Sequence, residues 1–263
     1  MTFAERYGPW AVVTGASDGI GLATAKLLAA SGINLVLVAR RYELLRQIAA
    51  ELIAVHGIQT RVISADLARA EAADDVSAAT QELDVGLAVL AAGFGDSRAF
   101  PDATLAGELD MIGVNVGAVT RLTHLFGGRL IERRRGGIVL FGSIVGWQGV
   151  PGQATYAATK AYVQSFAEGI HPEYAAHGVD VLCVAPGPVN SGFGARAGLN
   201  MDGATAPDLV ARGALRALGR RATVIPGARG KVLTTSLRPL PRRIRSRVLG
   251  RVIAGMRDPG PVT

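Results

Sequence analysis

The stretch that decides the fold is Trp10-Ala-Val-Val-Thr-Gly-Ala-Ser-Asp-Gly-Ile-Gly21. Its first five residues have the apolar and β-branched character of a short buried strand. Gly15, Gly19 and Gly21 follow, and an Ala/Leu-rich helical pattern then runs to about Ser31. Glycines between a strand and a helix allow a tight turn and bring the backbone close to a pyrophosphate at the helix N-terminus. The stretch therefore predicts a dinucleotide-binding unit.

The rest of the chain alternates short apolar runs with helical patterns. The remaining strands are predicted at 33–39, 61–66, 87–92, 138–141, 179–185 and 223–225, and the main later helices at 42–56, 70–83, 105–134, 154–177 and 207–218. Continuously apolar strands indicate burial on both faces of a sheet, and strand–helix alternation favours parallel strands with right-handed crossovers. We predict an α/β fold, a doubly wound, seven-stranded parallel sheet with helices on both faces. An α/β barrel would need eight such units.

Composition limits the class of protein. The chain has 263 residues, 49% of them hydrophobic, and 34 glycines, which suits a large domain with many strand–helix turns. The single cysteine, Cys183, excludes an intramolecular disulfide and indicates a reducing compartment. The N-terminus has no charged-then-apolar leader, and no apolar run approaches the roughly 18–20 residues of a membrane span. We expect a cytoplasmic protein with one domain, 1–235, and a C-terminal extension, 236–263.

The net charge of +7 comes from the C-terminal segment. Residues 220–257 contain 11 Lys/Arg and no Asp/Glu, so the remainder has 17 basic and 21 acidic residues. Arginines here alternate with an apolar series at Leu240, Ile244, Val248, Val252 and Met256. Such a basic amphipathic helix can pack on the domain or a neighbouring subunit, or make a peripheral contact with an anionic membrane. Nucleic-acid binding is disfavoured because no aromatic residues or binding motif accompany the charge.

A second motif carries the chemistry. Ser143 ends an apolar run and is followed by a glycine-rich loop, and Tyr156 and Lys160 then lie four positions apart in a helical stretch. Residues at this spacing share a helix face, and an ammonium beside a phenol favours the phenolate. A serine hydroxyl nearby would hold a carbonyl or alcohol oxygen. This combination predicts an acid–base site.

These motifs, in this order, resemble the classical short-chain dehydrogenase/reductase family over residues 8–228. The shared elements are Thr14-Gly-x-x-x-Gly-x-Gly21, Asp66-Leu67, Ala92-Gly93, Asn115, Ser143, Tyr156 with Lys160, and Pro186-Gly187. The resemblance implies a Rossmann-type fold and a catalytic set of Asn115, Ser143, Tyr156 and Lys160. Tyr156 would be the general acid or base, Lys160 would lower its pKa and hold the nicotinamide ribose, Ser143 would hold the substrate oxygen, and Asn115 would anchor a relay water.

The resemblance also implies the cofactor site. Besides Tyr156 and Lys160, the expected cofactor-binding residues are Gly15, Ser17, Asp18, Gly19, Ile20, Gly21, Arg40, Asp66, Leu67, Gly93, Pro186, Gly187, Val189 and Ser191. The second strand ends at Ala39, and Arg40 follows where NAD enzymes carry an acidic residue. A guanidinium pairs with a 2′-phosphate, so we predict NADP(H), with Arg41 pointing either to this phosphate or to solvent. Asp18 stands where some NADP-preferring relatives have a basic residue.

One departure from the family concerns the end of the fourth strand. The usual Asn-Asn-Ala-Gly is here Leu90-Ala91-Ala92-Gly93, so side-chain hydrogen bonds between the central strands are expected to be lost.

The sequence motifs also suggest which residues contact the substrate. We expect Phe94, Ser143, Trp147 and Phe193 to contact a small lipophilic carbonyl or alcohol, such as a steroid, acyl or xenobiotic ketone. Residues 192–206 would form a mobile lid with Arg196 in solvent. The four histidines lack metal-ligand spacing, so no metal is expected. The long helices 105–134 and 154–177 resemble those that pair in homodimers and homotetramers of the family. The alternative is a non-catalytic NADP(H)-binding sensor or scaffold.

Overall fold

A seven-stranded parallel sheet forms the centre of the computed structural model, which describes residues 1–257. Its strands are β1 (Trp10–Thr14), β2 (Asn34–Ala39), β3 (Thr60–Ser64), β4 (Val85–Leu90), β5 (Gly136–Phe141), β6 (Val179–Val184) and β7 (Thr223–Val224). Their order across the sheet is β3-β2-β1-β4-β5-β6-β7, and all neighbouring pairs are parallel. The strand order reverses direction between β1 and β4, which creates a crevice at the carboxyl ends of these strands. The predicted fold class is confirmed.

Helices cover both faces of the sheet. They are α1 (Phe3–Tyr7), α2 (Gly19–Ala30), α3 (Tyr42–His56), α4 (Ala72–Ala78), α5 (Leu105–Ile112), α6 (Val119–Arg133), α7 (Ala154–Ala175), α8 (Gly192–Ala197), α9 (Pro207–Ala217), α10 (Ala228–Leu237) and α11 (Arg242–Met256). Successive strand residues alternate between two cores: Val13 belongs to one apolar cluster and Val12 to the other. This double burial explains why the strands are continuously apolar.

Two predicted helices differ from the structure. Helix α4 ends at Ala78, well before the predicted 83, because the chain turns there and the Arg129 guanidinium takes up the carbonyl groups of Thr80 and Leu83. The predicted helix 105–134 contains a π-helical turn at Gly113–Ala118 that separates α5 from α6. π-helical turns occur frequently at functional sites.

The C-terminal helix α11 packs on the body of the protein. Leu249 and Ile253 are buried in an apolar cluster with Ile144 and Val145. Of the apolar series, Leu240, Val248 and Met256 pack against this cluster, whereas Ile244 and Val252 are 43% and 40% exposed. A spacing of four drifts around a helix of 3.6 residues per turn, so contact with the body selects a different stripe.

The predicted division of the chain into a domain, 1–235, and an extension, 236–263, stays a prediction. The proposed boundary at residue 235 falls inside α10, and residues 258–263 of the predicted extension lie outside the described residues. Within residues 1–257, no helix combines the length and apolar character that a bilayer span requires.

Candidate active site

A cavity of about 550 Å³ opens at the carboxyl edge of the sheet. Its walls come from the segments that follow β1 to β6, which is where ligands bind in open α/β sheets. Nearly all the predicted cofactor-binding residues line it: Gly15, Ser17, Asp18, Gly19, Ile20, Gly21, Arg40, Asp66, Leu67, Gly93, Tyr156, Pro186, Gly187, Val189 and Ser191. Lys160 is buried immediately behind this wall, as described below.

The glycine-rich turn leaves no room for side chains. Gly15 has φ +67°, and a Cβ there would lie 3.0 Å from backbone atoms of Ala92. A Cβ at Gly21 would lie 2.3 Å from the Gly15 carbonyl oxygen. The turn therefore keeps an open backbone surface at the start of α2, a shape that fits a pyrophosphate.

Asp18 joins this turn to the segment after β6. Its Oδ2 accepts a hydrogen bond from the backbone N–H of Gly192 at 2.8 Å, at the start of α8. The predicted lid segment 192–206 thus begins with a direct contact to the glycine-rich turn.

Two arginines follow β2 and line the cavity beside the turn. Arg41 donates from Nη2 to the Ser17 hydroxyl at 3.3 Å, so this side chain lies across the turn instead of pointing away from it. Arg40 and Arg41 together place two guanidinium groups at one end of the cavity.

The missing asparagines after β4 are replaced by a different link. The backbone N–H of Ala92 donates to the Thr14 hydroxyl at 3.0 Å, which joins the ends of β1 and β4. The expected loss of side-chain ties between the central strands is therefore offset by a residue of the glycine motif itself.

The four predicted catalytic residues meet at the inner wall of the cavity. Ser143 follows β5, and Tyr156 and Lys160 lie on α7. The Lys160 Nζ lies 5.7 Å from the centroid of the Tyr156 ring and donates to the Phe141 carbonyl at 2.8 Å. A Cβ on Gly93 would lie 3.4 Å from Nζ, so the absence of a side chain there keeps Lys160 close to the cavity.

Asn115 lies in the π-helical turn and is fully buried. Its amide donates to the Phe94 carbonyl at 2.9 Å and to the Thr159 hydroxyl at 3.1 Å, and its Oδ1 accepts from the Phe94 N–H at 3.1 Å. These bonds fasten the end of β4 to α7. Both N–H groups of the amide and its oxygen have partners, and the water relay expected at Asn115 stays a prediction.

Burial is the main cause of the pKa shifts of the acid–base pair, Tyr156 and Lys160. It raises the pKa of Tyr156 to about 12, a rise that the Ser143 hydroxyl opposes, and it lowers the pKa of Lys160 to about 8. Lys160 is not among the groups that set the pKa of Tyr156 in this structure, so its expected effect on that pKa stays a prediction. Lys160 still remains mostly protonated at neutral pH.

The outer part of the cavity is apolar. Phe94 and Phe193 line it as predicted, and the Phe193 ring lies 5.4 Å from the Tyr156 ring. Arg196 also lines the cavity, with its guanidinium 3.6 Å from the Phe94 ring centroid. Arg196 is exposed, as expected for a solvated cation, and it also stacks on the aromatic face of Phe94 at the edge of the site.

Trp147 is placed elsewhere. It belongs to a 3₁₀ turn after Ser143 and lines a second cavity of about 330 Å³, beside Gln148 and Gln164. Trp147 therefore does not line the main cavity, and its contact with the substrate stays a prediction.

Sequence reasoning missed several residues of the site. The C-terminal helices contribute a roof to the cavity, made of Leu233, Leu249, Val252, Ile253 and Met256. The sequence shows that this segment is rich in apolar residues, but it does not show that they cover the cavity. Gln153, three positions before Tyr156, also lines the cavity, and nothing in the sequence distinguishes it from an ordinary polar residue at a helix start.

Comparison with known proteins agrees with this geometry. The sequence matches the family described as short chain dehydrogenase over residues 9–201. A 7β-hydroxysteroid dehydrogenase of Clostridium sardiniense is 36% identical over 187 residues, which cover 71% of this chain and 72% of that protein.

Solved structures give the same result. One from work on 7β-hydroxysteroid dehydrogenase stereoselectivity superposes with a TM-score of 0.88 at 28% identity, covering 95% of this chain and 100% of the other. A short-chain dehydrogenase from Sphingobium yanoikuyae in complex with NADPH has a TM-score of 0.78 at 30% identity, covering 89% and 95%. From its fold, its sequence and the arrangement of its site, the chain belongs to the short-chain dehydrogenase/reductase family, whose members are nicotinamide-dependent oxidoreductases.

Proposed function

We propose that the protein is an NADP(H)-dependent oxidoreductase that interconverts a carbonyl and a secondary alcohol on a lipophilic substrate. The observation that carries this proposal is the meeting of Ser143, Tyr156 and Lys160 at the inner wall of a cavity. The same cavity has a side-chain-free glycine turn at one end and an apolar roof at the other. One end therefore suits a dinucleotide and the other an apolar substrate.

The residues present fit a nicotinamide dinucleotide. The turn from Gly15 to Gly21 would hold the pyrophosphate, Asp66 and Leu67 would flank the adenine, and Val189 and Ser191 would contact the nicotinamide amide. Arg40, assisted by Ser17, would pair with a 2′-phosphate, which selects NADP(H). When bound, this cofactor supplies or accepts the hydride.

The chain's own residues handle the proton. In reduction, the Tyr156 hydroxyl gives its proton to the substrate carbonyl oxygen, and in oxidation the phenolate takes the proton back. The Ser143 hydroxyl donates a hydrogen bond to the same oxygen and stabilises the negative charge that develops there. The protonated Lys160 stabilises the phenolate, and it would also hold the nicotinamide ribose. Asn115 anchors the turn through which the proton would be replaced from solvent.

The apolar end of the cavity supports a lipophilic substrate. Phe94, Phe193, Leu199 and Met201 line it together with the C-terminal helices. Among the lipophilic classes, a steroid is favoured because the relatives compared above include 7β-hydroxysteroid dehydrogenases.

The proposal is tested by a substrate screen with purified protein. Panels of 7-oxosteroids, 3-oxoacyl thioesters and aromatic ketones are incubated with NADPH, and NADPH oxidation is followed by absorbance. We expect turnover of at least one panel, with the corresponding alcohol as product. If NADPH binds but no ketone is reduced, the non-catalytic sensor or scaffold becomes the better account.

The cofactor preference has its own test. Arg40→Asp removes the guanidinium and places a carboxylate beside the 2′-phosphate, so we expect NADPH affinity to fall by at least about tenfold and NADH affinity to change much less. Arg46→Asp, an exposed arginine on α3, is the matched control and should change neither. Equal losses for the two cofactors in Arg40→Asp would contradict the NADP(H) assignment.

We further propose a homodimer or homotetramer in which α5, α6 and α7 pair, and a cytoplasmic location. Leu105, Leu109 and Tyr162, on α5 and α7, are 72%, 56% and 38% exposed and provide an apolar surface for such pairing. A peripheral membrane contact of residues 236–263 would be electrostatic, because Leu249 and Ile253 are already buried against the body.

A further inference from the structure

Gln153 is a buried amide that the proposed mechanism does not use. Its side chain lines the main cavity although the residue is only 3% exposed. Its Oε1 has no hydrogen-bond partner among residues 1–257. A buried polar group without a partner loses its hydrogen bonds to water and gains none in return, so such a group in a folded protein calls for an explanation.

The backbone around Gln153 is held firmly while its side chain is not. The Gln153 N–H donates to the Val150 carbonyl at 2.9 Å, and its own carbonyl accepts from Ala157 N–H at 2.8 Å. The side chain makes no capping hydrogen bond at the start of α7. The backbone of Gln153 is therefore fixed one helical turn before Tyr156, while its Oε1 remains unpaired.

Two other buried glutamines show what a structural role looks like. Gln148 donates to the carbonyls of Ile144 and Val145, and Gln164 bonds to Glu168, Thr223 and the Cys183 thiol. Both amides have hydrogen-bond partners within the protein, and both line the second cavity. Gln153 differs from them in both respects, since its oxygen is unpaired and it faces the site of Tyr156.

Two other buried polar atoms in residues 1–257 also lack partners, Thr123 Oγ1 and Arg245 Nε. Neither residue lines the main cavity. Gln153 is thus the member of this group whose missing partner a bound substrate would supply.

We propose that the Gln153 amide binds a hydroxyl group of the substrate. The substrate is then a lipophilic ketone, or its alcohol, that carries a second oxygen within reach of the helix turn before Tyr156. A hydroxyl suits either orientation of the amide, because it donates to Oε1 and accepts from Nε2. This inference rests on the proposed function of the same site.

The energetic consequence is a strong preference for the hydroxylated substrate. A site with a buried polar group binds an analogue that lacks the partner hydroxyl much more weakly, because the group then stays unpaired. A purely apolar pocket discriminates between the same two molecules only modestly.

The experiment compares wild type with Gln153→Met, which keeps the side-chain length and removes the amide. The first readout is kcat/KM with NADPH for a panel of 7-oxosteroids that differ only in single ring hydroxyls. We expect wild type to prefer at least one hydroxylated member over the deoxy parent by at least about tenfold, and this ratio to fall to about one in Gln153→Met.

The second readout is the Tm without substrate. Removing an unpaired buried amide should raise the Tm by about 2–4 °C, whereas the control Gln164→Met should lower it because that amide loses its partners. A lowered Tm in Gln153→Met, or an unchanged substrate ratio, would overturn the inference. If wild type reduces no 7-oxosteroid, the comparison is made with hydroxylated and deoxy members of whichever ketone panel it does reduce. If it reduces none of the panels, the proposed function fails and this inference fails with it, an outcome that the wild-type assay alone identifies.

Discussion

Burial acts in opposite directions on the two titratable groups at the inner wall of the cavity. The pKa of Tyr156 is raised to about 12 and that of Lys160 lowered to about 8, because a desolvated site disfavours both charged forms. At neutral pH the protein therefore holds a protonated phenol beside a buried ammonium. This arrangement suits proton donation to a carbonyl oxygen, and it costs stability.

That cost has a measurable pH dependence. Unfolded lysine has a pKa near 10.5, so between about pH 8 and pH 10 the unfolded chain binds a proton at Lys160 that the folded chain has released. Stability rises with pH wherever the unfolded state binds more protons. We expect the free energy of unfolding of wild type to rise relative to that of Lys160→Met by roughly 1 kcal/mol between pH 7 and pH 9.

Urea unfolding of both proteins at the two pH values gives this difference. The raised pKa values of Tyr156 and Cys183 have the opposite effect on stability at higher pH, but both groups are present in the two proteins and cancel in the comparison. A difference that stays constant with pH would show that Lys160 is not buried in its charged form.

At this scale the sequence predicts a residue well when its role follows from a motif at a strand end. Ser143 follows β5 and Tyr156 lies in the first turn of α7, and these positions bring both side chains to the main cavity. Trp147, which the sequence suggests for the same cavity, lines the second cavity instead, from a 3₁₀ turn that the sequence does not reveal. Gln153 could not be found, since being buried without a partner is a property of the packed protein.

At the scale of elements, α11 both packs on the body of the protein and lines the cavity. Leu249 is 3% exposed, packs in the cluster around Ile144, and lines the cavity. The helix therefore contributes to stability and to the apolar end of the site through the same side chain.

Leu249→Ala tests this double role. We expect a loss of about 2–5 kcal/mol in the free energy of unfolding, as for other buried leucines, and a raised KM for the ketone found in the screen. Ile244→Ala, on the same helix but 43% exposed and not lining the cavity, is the control and should change both much less. Equal effects of the two substitutions would show that α11 is not seated on the body.

Element boundaries were predictable where the local signal is strong. The bounds of β1 and α3 are those predicted, because β1 is continuously apolar and α3 ends at Gly57, whose φ of +66° suits glycine. The end of α4 and the buried face of α11 were not predictable, because contacts with residues far away in the sequence determine them. These contacts are made by the Arg129 side chain for α4 and by the cluster around Ile144 for α11.

At the scale of the whole molecule, α11 is rich in arginine, with the exposed Ile244 and Val252 among its charges, and α5 has three exposed apolar side chains, Leu105, Leu109 and Ile112. The exposed arginines of α11 are Arg242, Arg243, Arg247 and Arg251. The charged surface favours solvent, and the apolar one favours a second copy of the chain.

Leu109→Glu tests the proposed pairing through α5. Because Leu109 is 56% exposed, we expect little change in the stability of the isolated chain, but a charge placed in an apolar interface should shift the molecular mass in solution towards the monomer. Light scattering after size exclusion measures the mass. Val55→Glu, 67% exposed on α3, is the control, and a Leu109→Glu protein with the wild-type mass would place the interface elsewhere.

The central claim is that Tyr156 transfers the proton in an NADPH-dependent carbonyl reduction, and Tyr156→Phe tests it most directly. The measurement is the steady-state rate on the ketone found in the screen, together with the Kd for NADPH by fluorescence titration. We predict a rate lower by at least about 10²-fold while NADPH still binds, because the hydroxyl alone is removed. A Tyr156→Phe protein that reduces the ketone at the wild-type rate would contradict the account.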